Sequence, residues 1–369
     1  MKIVLTGGGT GGHFYPLMAV AESVIENSYK QKLTQPKIYY FGSVPYDANM
    51  LWERSIVFEP VPAGKVRTYF SIENVLDMFR SFAGFFVAFF KLFKIYPDVV
   101  FAKGGYDSLP TCLAAFILRI PIVTHESDSV PGRVSVLVSK LATRVAVSYK
   151  ESAQYLNSKY IAETGQPIIK KYLPAENFVR EFKSGGRKNI LIIGGSQGST
   201  RINDNIFQIL PELLTKYNIV HQVGEKNLEE YKMRMGTIDK ALLANYAVYD
   251  NIDLSKIYIN IDLAISRSGS TLFELAAWQI PTIAIPLPES HADHQKENAF
   301  ICEHAGFVRV LLEDNMSPHI IYGVVDDILQ DKVKYEKMMI SAKNFNNNNA
   351  ANVIADEIIN ICLAHETHQ

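Results

Sequence analysis

A chain of 369 residues, 48% of them hydrophobic and 20% charged, is long enough for two domains and too apolar to be disordered or collagen-like. Its 37 Lys and Arg against 38 Asp and Glu leave a formal charge of −1, which argues against a globally basic nucleic-acid binder. Cys112, Cys302 and Cys362 are odd in number and show neither C-x-x-C nor metal-ligand spacing, so three reduced thiols are expected, with no disulfide framework or zinc site.

Lys2–Thr6 (KIVLT) is a short buried-strand pattern that runs straight into glycines. It leaves no apolar region long enough for a signal peptide, and retention in the cytoplasm is the expectation. Pro16 to Ile25 reads as a helix, and Lys37–Phe41, Val99–Ala102 and Pro121–Thr124 as strands with helical patterns between them. Such alternation argues for parallel sheets covered on both faces. The uncharged run Ser81–Phe90 is closed by Arg80 and Lys91, well short of the roughly 20 residues a membrane span needs. Around it, Phe79, Phe82, Phe86, Phe89 and Phe93 recur at three and four residues, with Phe85 and Phe90 widening the stripe. Arg80, Lys91 and Lys94 flank it, and Lys65 and Arg67 lie upstream. One explanation is a helix buried against a sheet; the other is a helix resting on an anionic membrane surface. Tyr160–Glu163 is strand-like and ends in Thr164-Gly165-Gln166-Pro167, where a boundary is expected between domains 1–164 and 165–345.

The same grammar then restarts. Asn189–Ile193 (NILII) is followed by GGSQGS at Gly194–Ser199 and a helix from about Asn203, as KIVLT is followed by GGGTGGH. Asp98–Gly105 and Asp262–Gly269 are a second matched pair, each a strand opened by Asp and closed by a glycine-bearing loop. Open α/β sheets bind ligands at the carboxyl ends of their strands, so two facing sheets would enclose one cleft. Past the Asn346–Asn349 run, a last helix over Ala350–Leu363 either follows a linker or packs back on the first domain.

Gly7, Gly9 and Gly12 satisfy G-x-G-x-x-G between strand and helix, a weak match by itself. Glycines let the backbone approach a phosphate, and a helix N-terminus supplies N–H donors and positive potential. Strand Ile38–Phe41 ends without an acid until Asp47, which weighs against a dinucleotide site. Either loop alone could be tight-turn packing, whereas two at equivalent places point to a diphosphate-bearing ligand. Glu274 either complements a helix dipole or accepts hydrogen bonds from ribose hydroxyls. His13 is either structural or a general base for a sugar hydroxyl.

Six motifs in order, GGGTGGHFYP, GGY at Gly104–Tyr106, HES at His125–Ser127, GGSQGS, RSGSTLFE at Arg267–Glu274 and HADHQKENA at His291–Ala299, resemble the MurG family. Its members are the UDP-N-acetylglucosamine–N-acetylmuramyl-(pentapeptide) pyrophosphoryl-undecaprenol N-acetylglucosamine transferases of peptidoglycan synthesis. The resemblance implies a GT-B fold of two Rossmann-like doubly wound domains. It also implies an inverting transfer from UDP-GlcNAc to lipid I, giving lipid II, by a peripheral enzyme on the cytoplasmic side of the cell membrane. By position, Ser196 would meet the diphosphate, Ser270, Thr271 and Leu272 line the nucleotide, Glu274 take the ribose and Gln295 the donor sugar. Thr10, Gly11 and Gly12 would complete the site; His13, as base, and Tyr106 would face the acceptor. Phe79, Phe82, Phe86 and Phe89 would meet the membrane. No metal, cofactor or nucleic acid is implied. Asp128 stands where the family has Asn, a family Arg falls on Ile169 beside Lys170, and the Arg267–Glu274 stretch is one residue short. Another GT-B enzyme acting on a UDP-sugar, such as a glycolipid glycosyltransferase or an epimerase, and a catalytically lapsed nucleotide-sugar sensor are the alternatives.

Overall fold

The computed structural model describes residues 1–64, 72–181, 185–195, 197–288, 293–345 and 349–366; for 72–76, 365 and 366 it describes the backbone alone. Ser196, Lys65, Arg67 and most of the Asn346–Asn349 run thus lie outside the described residues. The chain forms two compact units, Met1–Lys170 with Asn348–Gln369, and Lys171–Asn347.

Unit 1 opens with β1 (Lys2–Thr6), α1 (Gly11–Lys30), β2 (Lys37–Gly42), α2 (Ala48–Glu53) and β3 (Val57–Pro60). It continues through α3 (Ile72–Ile95), β4 (Val99–Ala102), α4 (Leu109–Ile117), β5 (Ile122–Glu126), α5 (Arg133–Ser139), β6 (Arg144–Val147) and β7 (Ile161–Glu163). The strands are parallel in the order β3-β2-β1-β4-β5-β6-β7. Because helices cover both faces, β1 and β4 are near-continuous apolar runs, while β5 (IVTHE) is buried throughout although it ends in Thr, His and Glu.

Unit 2 contains β8 (Asn189–Ile193), α6 (Thr200–Lys216), β9 (Asn218–Gln222), α7 (Glu225–Met235), α8 (Lys240–Leu243) and β10 (Tyr246–Tyr249). There follow β11 (Leu263–Ser266), α9 (Thr271–Ala277), β12 (Thr282–Ala284), α10 (His294–His304), β13 (Val308–Val310), α11 (Pro318–Gln330) and α12 (Lys332–Phe345). Its parallel order is β10-β9-β8-β11-β12-β13. In each sheet the first strand in chain order lies between the second and the fourth, the doubly wound arrangement. The strand order therefore reverses beside β1 and β4 in unit 1 and beside β8 and β11 in unit 2.

One contact is repeated at the amino ends of the β1–β4 and β8–β11 pairs. Asp98 accepts from Lys2 N at 2.7 Å, and its own N–H donates to Lys2 O at 2.9 Å. Asp262 does the same with Asn189, at 2.8 Å in each direction. The helix α13 (Ala350–Glu366) belongs to unit 1, packing on α1. Asn27 Nδ2 donates to Asp356 at 2.9 Å and Arg144 Nε to Glu357 at 2.7 Å.

Helix α3 has two apolar faces. Gly84, Ala88 and Leu92 are buried, the last two in the core cluster with Val4, Val100 and Cys112. Phe85 and Phe89 pack partly against that cluster. Phe79, Phe82, Phe86, Phe90 and Phe93 are exposed, at 44 to 66%, and span roughly a quarter of the helix circumference. Phe89 thus belongs to the seam with the core, and Phe90 and Phe93 take the outward place its spacing suggested. Among the described residues no helix is long and apolar enough to cross a membrane.

Candidate active site

In unit 1, β1 and β4 end side by side, Thr6 opposite Ala102, so their loops leave the sheet together. The left-handed backbone of Gly9 (φ +92) lies against the Tyr106 hydroxyl, where a Cβ would sit 2.9 Å from the oxygen. Gly105 (φ +73) meets His13, with the same imagined atom 3.5 Å from Nε2. Glycine at these two positions is what lets Tyr106 and the His13 ring reach the loop. Thr10 occupies the N-cap of α1, yet its hydroxyl pairs with His13 Nδ1 at 2.9 Å and does not cap the helix. The first-turn amides of Gly11 and Gly12 consequently receive no side-chain cap from Thr10.

A group of charges lies under this loop. Lys103, at the end of β4, is 2% exposed, and its ammonium donates to the Ser127 hydroxyl. Ser127 in turn donates to Gln166 Oε1 at 2.8 Å. Glu126 Oε1 accepts from Ser127 N at 2.7 Å and Asp128 N at 3.0 Å, folding the HESD turn over β5. Burial, then the Lys103 charge, lowers the His13 pKa to about 4, against the pull of Asp128. Burial likewise lowers Lys103 to about 8, opposed by Glu126 and Asp128. Desolvation and the Asp128 charge push Glu126 up, with Lys103 opposing. His13 is therefore a neutral imidazole at pH 7 with a buried cation and two carboxylates beneath it. Buried Asp107 ties the loop to β2, accepting from Ser43 N at 3.3 Å and Ser43 Oγ at 3.1 Å.

In unit 2 the glycine loop after β8 and the loop after β11 occupy the corresponding places, Ile193 opposite Ser266. Arg267 joins them. Its Nη2 donates to Ser199 Oγ at 2.7 Å and Glu313 Oε1 at 3.0 Å, and its Nη1 to Ile285 O at 3.1 Å and Pro286 O at 3.2 Å. Ser270 is the N-cap of α9 and leaves its first turn without a side-chain cap. Thr271 is half-buried, whereas Leu272 is fully buried and so does not line an open nucleotide site as its position suggested. Glu274 accepts from the Tyr258 hydroxyl at 2.7 Å. Burial pushes the Glu274 carboxyl up to about 7, while the Tyr258 hydrogen bond and Lys171 pull it down. Gln295, at the start of α10, accepts from Leu287 N at 3.1 Å with Oε1.

The residues named from sequence thus fall in two groups. Thr10 to Gly12, His13, Tyr106 and Asp128 gather at the β1, β4 and β5 ends of unit 1. Ser270, Thr271, Leu272, Glu274 and Gln295 lie beyond β11 and β12 of unit 2. Ile169 is buried, and Lys170 Nζ meets both Glu26 oxygens at 3.2 Å, so this lysine is engaged within unit 1. Sequence reasoning passed over Lys103, Glu126 and Arg267. The available signal was a charge interrupting an apolar strand at its carboxyl end, as in VVFAK and LAISR. Among the described residues no group of three or more His, Cys, Asp or Glu is placed to hold a metal ion.

Residues 3–147 match the glycosyltransferase family 28 N-terminal domain, and residues 189–357 the glycosyltransferase family 28 C-terminal domain. A UDP-N-acetylglucosamine–N-acetylmuramyl-(pentapeptide) pyrophosphoryl-undecaprenol N-acetylglucosamine transferase of Treponema denticola is 34% identical over 349 residues, 88% of each chain. The protein of the same name from Clostridium kluyveri is 34% identical over 361 residues, 96% of this chain and 98% of its own. Among solved structures, Acinetobacter baumannii MurG matches with a TM-score of 0.74 at 23% identity, over 97% of this chain and 99% of that one. The UDP-GlcNAc 2-epimerase of Neisseria meningitidis, bound to UDP-GlcNAc, matches with 0.66 at 15% identity, over 98 and 100%. Identities this low carry the fold alone.

Proposed function

The chain belongs to the UDP-N-acetylglucosamine–N-acetylmuramyl-(pentapeptide) pyrophosphoryl-undecaprenol N-acetylglucosamine transferases of glycosyltransferase family 28, and from that premise we propose that unit 2 holds UDP-GlcNAc while unit 1 offers the acceptor hydroxyl to His13. N-acetylglucosamine passes from UDP to the 4-hydroxyl of undecaprenyl-pyrophosphoryl-MurNAc-pentapeptide, lipid I becoming lipid II. What carries this reading is identity across nearly the whole of both chains to relatives so named.

The acceptor oxygen attacks the anomeric carbon from the face opposite UDP. The bond from that carbon to the diphosphate oxygen breaks, UDP leaves with the electron pair, and a β-1,4 bond forms. The acceptor proton goes to His13. In this role Nδ1, 2.9 Å from the Thr10 hydroxyl, carries the ring proton and donates to that oxygen, which leaves Nε2, on the side of Gly105, as the accepting nitrogen. Being neutral at pH 7, it is ready to accept. Charge growing on the departing diphosphate calls for oriented N–H donors, which the glycine loop after β8 and the start of α6 supply. Glu274 takes the ribose hydroxyls, Ser270 and Thr271 border the nucleotide, and Gln295 meets the donor sugar.

The exposed phenylalanine face of α3, with Lys94 on its flank, suits an anionic lipid surface, where the acceptor's undecaprenyl chain resides. The enzyme is then peripheral, on the cytoplasmic side. Transfer of labelled N-acetylglucosamine from UDP to lipid I tests the whole reading, with lipid II the expected product. Release of free sugar alone, epimerised UDP-sugar, or no turnover would overturn it.

A further inference from the structure

The donor loop of unit 2 is held by a buried polar chain of residues not yet given a role. Gly198 (φ +75) and Gly224 (φ +89) press the loops after β8 and β9 together: a Cβ on Gly198 would overlap Val223 O, and one on Gly224 would overlap Gln197 O. Val223 O is thus the seat on which the glycine loop rests. Two side-chain amides donate to that oxygen, Asn203 Nδ2 at 3.0 Å and Asn227 Nδ2 at 2.8 Å. A second tie runs from Gln222 Nε2 to Gly195 O at 3.1 Å, with Gln222 Oε1 accepting from Ile252 N at 3.2 Å.

With its NH2 on Val223 O, Asn203 turns Oδ1 toward His221 Nε2, 3.1 Å away. An amide oxygen only accepts, so Nε2 must carry the proton. Nδ1 is then a bare lone pair, and it takes the hydroxyl proton of Tyr246 at 2.9 Å. Asn203 and His221 are buried and Tyr246 half-buried, so each orientation is fixed by the next. Burial lowers the His221 pKa to about 3, in keeping with an imidazole that stays neutral.

We propose that Tyr246, His221 and Asn203 form a positioning relay that runs from β10 across β9 and fixes Val223 O as the seat of the donor-diphosphate loop. The inference rests on the reading that this loop takes the diphosphate of UDP-GlcNAc. None of the three residues touches substrate; they set where the loop's N–H groups point. Two residues at the start of α6 hold loops in place here, Asn203 on the relay and the N-cap Ser199 on Arg267.

Asn203→Asp keeps the shape and deletes the donor to Val223 O. The KM for UDP-GlcNAc is expected to rise about tenfold, with the lipid I KM within about twofold of wild type. His221→Leu should match it, while His221→Gln, able to donate to Asn203, should stay within about threefold of wild type. Tyr246→Phe removes one hydroxyl from a half-buried position and serves if the core variants fail to fold; a rise of about threefold in donor KM is expected. An unchanged donor KM in Asn203→Asp and Tyr246→Phe, equal damage from His221→Gln and His221→Leu, or donor and acceptor KM rising in proportion overturns the relay. Calorimetry with UDP-GlcNAc separates the two levels. A wild type that does not bind sinks the donor reading, whereas equal binding by wild type and Asn203→Asp sinks the relay alone.

Discussion

At the scale of single residues, the proposed chemistry turns on two groups whose pKa values burial has moved. His13 is lowered to about 4, so in the proposed role it stays a competent base well below neutrality. His13→Ala should cut turnover by roughly a hundredfold or more while UDP binding stays nearly intact. Proportionate loss of both would assign the ring a structural role. Replacing Lys103 with Met removes the cation opposing protonation of His13, so the acid limb of the kcat/KM profile should move upward in pH. An unmoved limb would mean that Lys103 does not act on the base. Glu274 presents the reverse case, its carboxyl raised to about 7 and so partly protonated at neutrality. Ribose hydroxyls donate to the carboxylate form, so binding lowers this pKa. UDP affinity should therefore rise with pH through about 7 and level off above it. Titration calorimetry at pH 6 and pH 8 would detect a several-fold difference, and Glu274→Gln should abolish it.

Among the elements, α3 shows most plainly where periodicity stops being informative. A phenylalanine every three or four residues announces an apolar helix face, but seven of them from Phe79 to Phe93 wrap more than one face. Which side is inner depends on Gly84, where a Cβ would overlap Pro62 O, and on Ala88 and Leu92, fully buried one turn apart. Small residues there let the helix lie close to its neighbours and turn the larger rings outward. Substituting Ser for Phe82, Phe86 and Phe93 should weaken binding to anionic vesicles with little change in thermal midpoint. Phe89→Ser should do the opposite, destabilising unit 1 by about 1–3 kcal/mol through lost packing. Vesicle binding unchanged in the triple variant would remove the membrane role from this face.

On the scale of the whole molecule, α13 is the consequential element, since residues at the far end of the sequence complete unit 1. Truncation after Phe345 removes the partners of Asn27 and Arg144 and uncovers the side of α1 on which α13 rests. The melting transition of unit 1 should fall by several degrees or disappear, with unit 2 retained; two unchanged transitions would contradict that role. The alternating strands and helices, the strand ends at Lys2, Val99 and Asn189, and both glycine loops could be read directly from the residues, because buried parallel strands need uninterrupted apolar runs and close turns need glycine. Sequence by itself determined two α/β units of parallel strands and the glycine loops that follow their first strands. Only the tertiary structure decided that Lys103 lies buried near His13, that Arg267 is held by Ser199, Glu313 and two carbonyls, and that Asn203 donates to the carbonyl beside the glycine loop while His221 orients it. Those facts depend on which strands become neighbours, and a burial or hydrogen-bond partner far away in sequence leaves no period or spacing behind it.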